Sequence, residues 1–228
     1  MKKRCSLVIA TLLVLALMGC GHEDHHDHVV VAPTVAEIFS DPTLDGDLTK
    51  DLATGLIGAP TVASNTGNVL AGIDVSPVTG VPISESRGFL IFPLAPLPSN
   101  ASIQFASITV FVNNVSFVTS STAPIPFLLD SIDTVAFPPP IVSGDFDSAF
   151  LMSRSLSFFG RDAGTFVEIN VTSLLADAQT RLLPQFEVRF LFDQSQFLND
   201  PTTTQGLIEI DDKATNTSRA PNLHVEFF

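Results

Sequence analysis

Between residues 186 and 192 a large apolar side chain occupies every second position: Phe186, Val188, Phe190 and Phe192. A period of two puts all four on one face of an extended strand, a placement no helix can reproduce. This is the clearest core strand in the chain, and it commits the fold to a sheet. Residues 106–112 repeat the pattern with smaller side chains, as Ala106, Ile108, Val110 and Val112 alternate with mostly polar neighbours. Residues 87–94 form a third strong strand, which Pro96 and Pro98 end. Further strands are predicted over residues 29–38, 127–132, 150–158, 165–170, 207–211 and 222–228, with one or two short ones between residues 52 and 86.

One segment alone predicts a helix. Thr172 or Ser173 can cap it, Leu174, Leu175, Ala178 and Leu182 fall on one side, and Pro184 closes it. Residues 138–147, 160–164 and 199–201 read as loops. Many short strands, broken by 16 Pro and 13 Gly and joined by one short helix, predict an all-β protein. The expected architecture is an antiparallel β-sandwich, jelly-roll-like, without internal repeat or boundary over residues 33–228.

The amino terminus obeys different rules. Lys2, Lys3 and Arg4 precede an apolar run of about 14 residues, too short to span a bilayer comfortably, where about 20 are needed. The run ends in Leu17-Met18-Gly19-Cys20. This layout resembles the signal and lipobox of bacterial lipoproteins. That resemblance implies a signal peptide over residues 1–19, a lipid on Cys20 and attachment to the membrane through that lipid. Gly21, rather than Asp, follows Cys20, which by the same resemblance favours the outer over the inner membrane. Cys5 would leave with the signal and Cys20 would be acylated, so no thiol remains for disulfides, metal ligation or nucleophilic catalysis.

Residues 20–32 read as a polar, flexible tether. Four of the five histidines, His22, His25, His26 and His28, sit there among Glu23, Asp24 and Asp27. Imidazole and carboxylate suit zinc or nickel, so metal capture stands beside a plain spacer role. A second candidate metal site is the turn carrying Asp41, Asp45 and Asp47. Clustered carboxylates on a turn can ligate calcium, although no glutamate closes an EF-hand frame and turn chemistry alone also explains them.

Without the signal, eight basic residues face 24 acidic ones, a net charge of −16. Such a surface repels phosphate backbones and excludes nucleic acid as a partner. The aromatic residues are 19 Phe with no Trp and no Tyr, an inventory suited to a core more than to a sugar-gripping surface. Phosphate-cradling loops are absent: Gly67 and Gly72 have Walker spacing, but Ile73 stands where its lysine is required.

From about Arg87 onward, four stretches resemble the DNRLRE domain family, β-sandwiches related to carbohydrate-binding modules. They are residues 87–92 (RGFLIF), 106–110 (ASITV), 168–175 (EINVTSLL) and 218–225 (SRAPNLHV). The resemblance covers roughly two thirds of the chain after Cys20. It implies the sandwich fold and a glycan-binding ancestry, while the family's tryptophans and the DNRLRE string itself are missing here.

Catalytic chemistry has few footholds. His224 is the one histidine outside the tether and no Gly-x-Ser-x-Gly elbow accompanies it, so a solvent-facing strand histidine is expected. Asp145 with Asp147, or Asp211 with Asp212, could in principle run glycoside hydrolysis. Asn100, Asn114, Asn170 and Asn216 lie in Asn-x-Ser/Thr strings, which carry little meaning if the cell is bacterial, as the lipobox resemblance implies. Three functions follow, in order. The first is a non-catalytic envelope module binding a glycan or an envelope protein. The second is a metal-handling lipoprotein, and the third is a carboxylate-based hydrolase or lyase.

Overall fold

Among the described residues of the computed structural model, twelve strands pair without exception antiparallel. They are β1 (Thr34–Phe39), β2 (Gly46–Asp51), β3 (Thr61–Val62), β4 (Asn68–Val75), β5 (Pro82–Pro93) and β6 (Ile103–Phe117). After these come β7 (Ile125–Ile132), β8 (Phe150–Phe158), β9 (Thr165–Asn170), β10 (Gln185–Phe192), β11 (Gly206–Asp211) and β12 (Asn222–Phe227). The described residues are 32–117, 122–212 and 218–228. Cys20, the four tether histidines and Asn216 lie outside them. Pro33–Phe228 pack as one unit. Among the described residues no helix is long and apolar enough to cross a membrane.

Two long strands organise the sandwich. On one edge β6 pairs first with β12 and then with β11, while β9 lies on its other edge. In the same way β5 pairs with β4 and then β10 on one edge, and with β2 on the other. Because β11 also pairs with β4, the two layers are one curled sheet, ordered β1-β12-β6-β11-β4-β5-β10-β7-β8. The result is the expected antiparallel, jelly-roll-like β-sandwich. Two glycines make the turnover from layer to layer possible. A Cβ on Gly72, whose φ is +119°, would stand 2.2 Å from the carbonyl oxygen of Gly206, and a Cβ on Gly206 would stand 2.4 Å from that of Ser116.

The inner faces carry the predicted alternation. Phe186, Val188, Phe190 and Phe192 of β10 are buried against Leu90 and Phe92 of β5, Ile108 and Val110 of β6, and Leu223 and Val225 of β12. Phe127 and Phe158 meet edge to face, with centroids 5.3 Å apart. Burying each such side chain contributes about 1.5–3 kcal/mol.

The other face of β10 departs from the one-sided pattern. Glu187 and Arg189, which alternation places in solvent, are each only 3% exposed. The segment 133–149, with a 3-10 turn at Ser143–Asp147, folds over this face. It delivers Ile141 and Phe146 to a second apolar cluster with Leu48, Phe89 and Ile91. A strand whose period says half-buried is therefore buried twice, because a loop covers what the sheet leaves open.

Three helices occur among the described residues: α1 (Ala63–Thr66), α2 (Thr172–Thr180) and α3 (Gln194–Asn199). The predicted helix is α2, and Leu174, Leu175 and Ala178 are buried as expected. Its start differs. Neither Thr172 nor Ser173 caps it; the Thr172 hydroxyl instead accepts the Ala106 N–H at 2.9 Å and donates to the Ala106 carbonyl at 3.3 Å, tying α2 to β6. Its end differs too, since Leu182 is 69% exposed at φ +57°. α3 is not among the predicted elements and runs into the expected loop at 199–201, with Asp193 accepting the Gln196 N–H at 2.9 Å as N-cap. At six residues it is too short to show a helical period.

Candidate functional site

The end of the sandwich where β1 runs into its turn and β11 stops brings two carboxylates together. Ser40 follows β1, and its N–H donates to the Pro221 carbonyl at 3.0 Å. Asp45 closes the turn: its N–H donates to the Asp41 carbonyl and its own carbonyl accepts from Ala63 N–H. Asp212 follows β11, and its N–H donates to the Gly67 carbonyl beyond α1. These backbone bonds fix all three positions without help from their side chains. Asp45 and Asp212 are fully buried.

The carboxyl of Asp45 spends one oxygen, Oδ1, on the Ile91 N–H at 2.6 Å. Its Oδ2, both oxygens of Asp212 and the Ser40 hydroxyl have no well-aligned partner. Burial, then the charge and contact of Asp212, push Asp45 well above the carboxylate range against the pull of Ser40 and Ile91. Burial also raises Asp212, with the charges of Asp211 and Asp41 adding to it and contacts with Asp45 and Ser40 opposing.

The turn residues Asp41, Asp45 and Asp47 thus point three ways. Asp41 Oδ1 accepts the N–H and hydroxyl of Thr43 at 2.9 and 2.6 Å, an Asx turn. Asp47 lies on β2, where burial raises it to about 6 and Leu70 N–H donates to its Oδ1 at 3.2 Å. Only Asp45 turns toward Asp212. Among the described residues no three His, Cys, Asp or Glu side chains converge as metal ligands; this site has two carboxylates and a hydroxyl.

The other sequence candidates separate. Asp145 Oδ2 accepts the Val142 N–H at 2.7 Å, whereas Asp147 pairs outward with Arg87 at 2.9 Å. Asp211 turns to Arg219 at 3.6 Å while Asp212 faces Asp45. Neither adjacent pair forms a glycosidase-like couple. His224 is partly exposed on β12, its Nδ1 2.6 Å from Glu37 Oε1 across the β1–β12 pair. That bond, with a weaker one to Glu226 at 3.5 Å, raises its pKa against the effect of burial.

A surface groove lies at the C-terminal end of α2. It is lined by Leu94, Leu97, Leu182, Leu183 and Pro184 with Gln179, and encloses about 300 Å³. Its rim is built by a Schellman motif: Leu183 N–H donates to the Ala178 carbonyl and Leu182 N–H to the Gln179 carbonyl. The left-handed position, which favours glycine, holds Leu182. The Gln179 amide donates to the Pro98 carbonyl at 2.6 Å and ties the helix end to the opposite wall.

Sequence reasoning did not find Ser40, the pairing of Asp45 with Asp212, or Leu182 as a rim residue. A trace of the pairing was visible in Asp211-Asp212 at the end of an apolar strand. No family model matches the chain, and no curated protein matches it.

Proposed function

We propose that the chain is a lipid-anchored, non-catalytic interaction module of the bacterial cell envelope. Cys20 holds it to the membrane and the groove beside α2 contacts an envelope protein. Leu182 carries this reading. A branched side chain in a left-handed conformation costs about 1–2 kcal/mol relative to glycine, and this one also leaves its apolar surface in water beside an apolar groove. Local strain and an exposed apolar rim together favour contact with a partner. An apolar polypeptide segment suits such walls better than a glycan, for which no Trp or Tyr platform exists in the chain.

Two measurements test it. Cys20→Ala is expected to move the protein from the membrane to the soluble fraction; a variant still membrane-bound refutes the anchor. A photo-crosslinking residue at position 182 is expected to give a discrete protein adduct in cells. The same probe at Val78, 89% exposed and elsewhere on the surface, is expected to give none. Equal labelling at both positions, or binding on a glycan array without a protein adduct, refutes the groove.

A further inference from the structure

Two buried carboxylates without a basic partner are the least satisfied groups in the described fold. The one guanidinium nearby, on Arg219, is directed to Asp211 at 3.6 Å. Asp41 and Asp211 add further negative potential to Asp212. Four oxygens, Ser40 Oγ, Asp45 Oδ2 and both of Asp212, are sealed from water and touch one another without a well-aligned hydrogen bond or any backbone donor. Native interiors rarely leave one such atom unsatisfied, and a group of them calls for an ion or water. The backbone around them is already pinned by Ser40 to Pro221, Asp45 to Ala63 and Asp212 to Gly67, so the oxygens are pre-positioned.

We propose that Ser40, Asp45 and Asp212 form a structural site for one divalent cation of the calcium class. Two carboxylates balance a double positive charge, leaving the buried site neutral. The donors are all hard oxygens, with no imidazole or thiolate, which selects calcium chemistry over zinc or copper. Asp212, neither of whose oxygens is held by a well-aligned hydrogen bond, can bind side-on, a mode that the larger, irregular calcium shell accepts and the octahedral magnesium shell resists. Bound there, the ion cross-links the β1–β2 turn to the end of β11 and fastens the sandwich at this end.

The test uses the full-length chain, purified in detergent, stripped with EGTA and titrated with calcium chloride. Native mass spectrometry is expected to show one calcium per chain. Thermal unfolding is expected to shift upward by about 5–10 °C at calcium a hundredfold above its Kd, with magnesium giving less than half that. Asp212→Asn is expected to abolish the shift and Asp74→Asn, at an exposed position on β4, to preserve it. Replacing the four tether histidines is expected to leave it unchanged. No calcium bound by the stripped wild-type chain overturns the proposal, as does a shift that survives Asp212→Asn. So does a stabilisation that appears only on acidification, which marks a proton shared between the two aspartates. The wild-type titration stands alone if a variant fails to fold.

Discussion

Arg189 Nη2 and Asp130 Oδ2 meet at 2.7 Å across the β10–β7 pair, and both side chains are shut away from solvent. The same guanidinium donates through Nη1 to the carbonyls of Asp145, Phe146 and Ser148 and to the Ser148 hydroxyl, at 3.0–3.2 Å. One residue thus neutralises a buried acid and clasps the covering segment onto the sheet. Breaking such a pair leaves a buried charge uncompensated. Asp130→Ala is expected to cost about 3–5 kcal/mol in urea unfolding. Arg189→Met with Asp130→Leu is expected to recover part of that loss, because neither charge remains.

Glu187 sits two residues before Arg189 on the same covered face. Burial, then the charge of Asp145, push its carboxyl up to about 8, with Arg189 opposing. A carboxyl raised in the folded state takes up a proton on folding. Its contribution is therefore intact below about 4.5, declines through the window from 4.5 to 8, and is wholly lost above 8. Glu187→Gln is expected to match wild type near pH 4 and to exceed it at pH 9 by on the order of 2–4 kcal/mol. Denaturant midpoints across that range check it. A wild-type slope retained in the variant contradicts it.

Leu182→Gly relieves the left-handed strain at the end of α2 and keeps both Schellman hydrogen bonds. Stability is expected to rise by about 1 kcal/mol, or roughly 2–4 °C in Tm for a chain of this size. If the proposed contact uses the leucine surface, then with the crosslinker moved to Leu97 the glycine variant is expected to label less. Gains in stability and losses in contact at the same residue separate a working rim from a merely tolerated one.

His224 titrates beside Glu37 and Glu226. Its raised pKa means that the pair with Glu37 contributes fully below about pH 6.5 as long as Glu37 is ionised, and fades as pH rises through the folded histidine value. At this exposure the contribution is about 0–1 kcal/mol, small for unfolding but visible by NMR. Its imidazole midpoint is expected above that of a free histidine, and Glu37→Gln is expected to lower it.

The sheet was legible in the sequence because its evidence is local. Alternation in residues 186–192 and 106–112 reports a strand whatever it pairs with. Features that depend on distant chain were not legible. Glu187 and Arg189 look like a solvent face until the segment 133–149 is known to cover them. Asp45 looks like turn chemistry until Asp212, on another strand end, is brought against it. The Thr172 hydroxyl serves equally as a cap or as a tie to Ala106, and only the position of β6 decides. The most useful signal passed over was charge inside the best core strand, since Glu and Arg at alternate positions of such a strand announce either solvent or a buried network.

The pairing of β1 with β12 sets the order in which the fold can be completed. Glu37 and His224, 187 residues apart, are direct partners in that ladder, and β12 also fills the first half of one edge of β6. The earliest strand to emerge from a ribosome or a translocation channel therefore waits for the latest. Contacts of such long range slow folding, because the intervening loop must close first. The β1–β12 ladder, and with it the first half of one edge of β6, therefore closes only after the last strand has been made.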